Sequence, residues 1–105
     1  MNNHEAVQIV GLWVIDPSDL DSQNVYGKVT LEFTPDGMLI YTIHNSDIDQ
    51  KIFLEYSVKD GMIITDQPSS PRKEKTAYLL TSDDRLILEQ DNHKSCYIRK
   101  HLCDL

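Results

Sequence analysis

Turn-forming residues interrupt this chain roughly every eight to twelve residues, and between them apolar and polar side chains alternate. That rhythm suits short antiparallel strands and leaves no room for a long helix. Apolar runs fall at 8–15, 25–34, 39–43, 51–59, 62–65, 75–81, 86–90 and 95–99. In the second, Val25, Gly27, Val29, Leu31 and Phe33 share one face, and Tyr26, Lys28, Thr30, Glu32 and Thr34 share the other. Thr34-Pro35-Asp36-Gly37 then predicts a bulged hairpin that pairs Thr34 with Met38, since proline presets φ and glycine accepts a left-handed backbone. Leu39, Tyr41 and Ile43 continue the buried face, as do Ile52, Leu54, Tyr56 and Val58. Asp60-Gly61 predicts a two-residue type I′ turn. The polar stretch 16–24 has room for one turn of helix, with Asp16 as N-cap and Pro17 at the first helical position.

About eight such strands, joined by tight turns, leave two bare edges unless the sheet closes. The expected fold is therefore all-β: a small antiparallel up-and-down meander curled into a barrel. The 105 residues make one domain, with its core over about 8–99 and short tails at each end. An eight-stranded barrel is just wide enough to be filled by side chains. Trp13, Phe33, Tyr41 and Tyr56, with Tyr78 a further candidate, are expected to fill it.

Ten Lys and Arg against 17 Asp and Glu give a net charge of −7. That balance repels phosphate backbones and excludes nucleic acid and anionic membrane as expected partners. The N-terminal residues lack a basic segment followed by an apolar run, so the expected location is the cytoplasm. There Cys96 and Cys103 are expected as free thiols.

Residue types suited to chemistry are present, but not in the patterns that chemistry needs. His93, Cys96, His101 and Cys103 have the donors of a zinc site without the spacing of one. The aspartates at 16, 19 and 21, at 47 and 49, and at 83, 84 and 91 match no calcium-loop register and read as turn formers. No nucleophile elbow, metalloprotease motif or phosphate-cradling loop occurs. Neither an enzyme nor a bound cofactor or metal is expected.

Gly11-Leu12-Trp13 on the first strand resembles the Gly-x-Trp signature of the lipocalin and fatty-acid-binding superfamily, and 33–37 resembles the Phe-x-x-Asp-Gly hairpin of short bacterial lipocalin-like domains. Arg99, on the last strand, matches the position from which a family arginine packs across that tryptophan. The resemblance implies a structural signature of Gly11, Trp13 and Arg99, in which the guanidinium stacks on the indole and seals one barrel end. It also implies a carrier of a small apolar ligand.

Read from the residues alone, Tyr26, Met38, Ile40 and Phe53 point away from the interior and would form an apolar contact patch. With the acidic charge, that patch favours a non-enzymatic binding module. Such a module would dock a protein partner or a second copy, for example in an inhibitory or toxin-neutralising role. The ligand carrier is the alternative.

Overall fold

The turns come first, because they set the register of everything between them. Thr34 N donates to Met38 O (2.8 Å), Gly37 N donates to Thr34 O (3.3 Å), and Gly37 takes a φ of 91°. The Thr34 hydroxyl accepts from Met38 N at 2.9 Å, and Tyr56 Oη donates to Thr34 O at 2.8 Å. Thr81 to Arg85 repeats the arrangement: Thr81 N donates to Arg85 O, Asp84 N to Thr81 O, and Arg85 N to the Thr81 hydroxyl. Here Asp84, with φ 64°, occupies the left-handed position that glycine holds in the first hairpin. Asp60 and Gly61 have φ values of 53° and 75°, as a type I′ turn requires.

A computed structural model describes residues 8–68, 73–90 and 92–100. The expected tails and their His4, His101 and Cys103 lie outside these. The described strands are β1 (Gly11–Ile15), β2 (Lys28–Phe33), β3 (Met38–His44), β4 (Gln50–Lys59), β5 (Met62–Asp66), β6 (Lys73–Leu80), β7 (Arg85–Gln90) and β8 (His93–Lys100). Each pairs antiparallel with the next, and β8 returns to β1, with Leu12 opposite Lys100 and Ile15 opposite Tyr97. The result is a closed meander barrel without a free edge.

The stretch between β1 and β2 differs from expectation. Helix α1 (Leu20–Tyr26) runs through Val25 and Tyr26, which the alternation assigned to a strand. Its N-cap is Asp19, whose carboxylate accepts from Ser22 N at 3.2 Å. Asp16 is occupied elsewhere: Ser18 donates to it from its amide (2.9 Å) and hydroxyl (2.8 Å), and Arg85 pairs with it. The helix ends only at Gly27, which takes φ 80° and donates its amide to Gln23 O. Val25, expected inside, is consequently 65% exposed.

The core runs through the barrel from Trp13, Val29, Leu31, Phe33 and Leu39 to Val58, Ile63, Leu86 and Tyr97. At the end bearing the 34–37 and 81–84 turns, residues 8–10 cross the opening. Ile9 is fully buried, and Trp13 Nε1 donates to its carbonyl at 2.9 Å. The opposite end carries α1 and the starts of β6 and β8.

Candidate functional site

The expected signature assembles at the sealed end. The Arg99 guanidinium carbon lies 4.3 Å from the Trp13 ring centroid. Arg99 also donates to Val10 O (2.9 Å), Gln8 O (2.7 Å) and, through Nε, to Asp84 (2.9 Å). Gly11, at φ 136°, leaves room for this: a Cβ there would stand 3.0 Å from Arg99 Nη1. The guanidinium is thus fixed by four partners and closes the barrel over the indole.

The expected contact patch is only partly assembled. Ile40 and Phe53 stand opposite each other on the outer face of β3 and β4, Phe53 being 52% exposed, and Met38 is half-buried beside them. Tyr26 is not with them. Because α1 turns it inward, Tyr26 lines the barrel interior and packs against the core.

That interior is not completely filled, contrary to the expectation of a packed core. A cavity of about 190 Å³ remains. Its two sides differ. Leu31, Phe33, Leu39 and Leu54, on β2 to β4, make an apolar wall. Across from them, on β5 to β8, Ile63, Leu88 and Tyr97 face inward together with the polar Thr65, Glu74, Thr76, Gln90, His93 and Ser95. Glu74, Gln90 and His93 sit at strand ends near α1, so the polar groups collect around the mouth.

These mouth residues are mutually held. Gln90 stands opposite His93 across the β7–β8 ladder, and its Nε2 donates to Glu74 Oε2 at 3.3 Å. The His93 ring meets Tyr26 edge-on at 5.5 Å, and its Nε2 lies 3.0 Å from the Ser22 hydroxyl. Ser22 is fully buried and also donates to Lys94 O, so it ties α1 to β8 rather than presenting a nucleophile to the cavity. Burial raises the phenol of Tyr41, and pushes that of Tyr97 up to about 12. Both therefore face the cavity as neutral hydroxyls.

The junction behind α1 is also electrostatic. The Ser18 amide and hydroxyl, then Arg85, hold the Asp16 carboxyl below its ordinary value. Burial pushes Asp19 upward, but hydrogen bonds from Ser22 and the Cys96 amide outweigh it and the net shift is down. Cys96 faces outward beside Arg85, away from His93, and burial raises its thiol. Among the described residues no group of His, Cys, Asp and Glu is arranged to hold a metal.

Glu74, Gln90 and Ser95 were not among the candidates suggested by the sequence, and His93 was considered there only as a zinc donor. Their signal lay in the alternation: Glu74 and Thr76 share parity with Tyr78, and His93 and Ser95 with Tyr97 and Arg99. Charged and amide side chains at inward strand positions break the apolar pattern, and such breaks concentrate at functional sites. Compared with models of known protein families, with curated proteins and with solved structures, the chain matches none.

Proposed function

We propose that this chain is a lipocalin-like carrier that takes one small, largely apolar molecule into its barrel. The observation that carries this reading is the two-sided cavity, with an apolar wall in depth and hydrogen-bonding groups at its mouth. Small-molecule sites have that composition: apolar lining for affinity, a few placed polar groups for orientation. Its size limits the ligand. An apolar cavity of roughly 150 Å³ accommodates benzene, so this one suits a single ring or a short branched chain.

Titrating toluene into the protein and following the methyl NMR signals of Leu31, Leu39, Leu54, Ile63 and Leu88 tests the reading. Saturable shifts confined to these cavity methyls are expected, and their absence would overturn it. Native mass spectrometry of protein from its own host should show a small-molecule adduct.

A second reading, docking of a protein partner, is favoured by the cross-strand Ile40 and Phe53 pair on the outer face. Phe53→Ser would then abolish partner capture while leaving toluene binding intact.

A further inference from the structure

We infer that the cavity selects a small amine, with its ammonium group at Glu74 and its apolar body against Leu31, Phe33 and Leu54. The inference rests on the carrier reading and concerns which ligand that carrier prefers. Glu74 points inward from β6 and is half-buried at the mouth, held by one neutral donor, Gln90 Nε2. Among the described residues it forms no ion pair, and the lining contains no Lys or Arg.

The two described arginines are committed elsewhere. Arg85 pairs with Asp16 and Asp83 outside the barrel, and Arg99 lies at the sealed end with Asp84. Lys73 and Lys75 flank Glu74 in sequence, but strand alternation sends them to the opposite face. A ligand carboxylate would meet Glu74 without a compensating cation, whereas an ammonium group would supply one. The aromatic rings of Tyr26 and Tyr41 add to the preference, since ring faces attract cations. The net charge of −7 draws cations toward the protein as a whole.

Three probes of nearly equal shape separate charge from burial: 2-phenylethylamine, 2-phenylethanol and 3-phenylpropionate. Calorimetric titration of each into the full chain at neutral pH should find the amine tightest, by about tenfold over the alcohol, as suits a charge-assisted hydrogen bond. The carboxylate should be weakest. Glu74→Gln should bring the amine to the affinity of the alcohol and leave the alcohol unchanged. Equal binding of amine and carboxylate, or an unchanged amine affinity in Glu74→Gln, would overturn the inference while binding of the alcohol upheld the carrier reading. Failure of all three to bind would overturn both. Because the three probes are compared on the unaltered chain, the outcome does not depend on the variant folding.

Discussion

Asp84 sits where the hairpin geometry favours glycine, and the reason lies across the barrel end. A side chain at positive φ carries a penalty on the order of 1 kcal/mol. In return, the Asp84 carboxylate receives Arg99 Nε at 2.9 and 3.0 Å and aims the guanidinium over Trp13. Both partners are partly exposed, so the pair itself contributes roughly 0–1 kcal/mol. Asp84→Gly relieves the backbone while releasing Arg99, and its stability in urea should lie within about 1 kcal/mol of the parent. Asp84→Ala keeps the backbone penalty and loses the carboxylate, so it should be the less stable of the two. Reversal of that order would mean that the turn is not under strain. Tyr97 offers a second test. Its phenol ionises at about 12 in the folded chain against an ordinary value of 10.0. The folded state therefore keeps a proton that the unfolded state gives up between those values, and stability falls as pH rises through that window, by about 2–3 kcal/mol. Tyr97→Phe should remove that part of the alkaline slope in urea titrations at successive pH values.

The strands were legible in the sequence because their information is local: a turn residue at each end and a period of two between. Thr34 to Gly37 and Asp60-Gly61 formed the turns their residues predict. Helix α1 was legible only in part: a turn of helix was expected within 16–24, but its N-cap and its reach were not, because Val25 and Tyr26 extend the alternation of β2 as well as they finish a helix. What decides between the two is tertiary. The Asp19 carboxylate accepts from Cys96 N at 2.9 Å, and the Ser22 hydroxyl reaches His93, both on β8. These contacts pin the helix to a strand distant in sequence. Asp19→Ala should thus cost about 1 kcal/mol as a lost N-cap, and more through the orphaned Cys96 amide. The pH dependence has a definite sign. Asp16 and Asp19 both ionise below their ordinary value of 3.8, so their contribution is complete above that pH. It is lost as pH falls through the lowered folded values, where the unfolded chain takes up protons first. Acid unfolding followed by circular dichroism should show a shallower acid limb in Asp19→Asn. An unchanged limb would mean that other carboxylates set it.

For the molecule as a whole, closure followed from strand number and turn spacing, but the state of the interior did not. Whether a barrel is filled depends on how eight inward rows meet, and no single strand encodes that. The aromatic residues expected to fill it are inside, and Tyr41 lines a cavity rather than closing one. Retaining that space has an energetic consequence. Thr76→Ile extends an inward side chain into the cavity with a residue suited to strands. It should raise stability by about 0.5–2 kcal/mol, as cavity filling commonly does, and weaken toluene binding together with it. Higher stability with undiminished binding would place the ligand outside the barrel.

The β1–β8 seam has a kinetic consequence. Every other ladder joins strands adjacent in the chain, whereas here Leu12 meets Lys100 and Trp13 meets Arg99. The seam is the ladder with the greatest loop-closure entropy, and the chain's single tryptophan lies on it. Tryptophan emission during refolding therefore times the joining of the two ends of the meander, an event that backbone dichroism, dominated by the seven ladders between consecutive strands, does not single out.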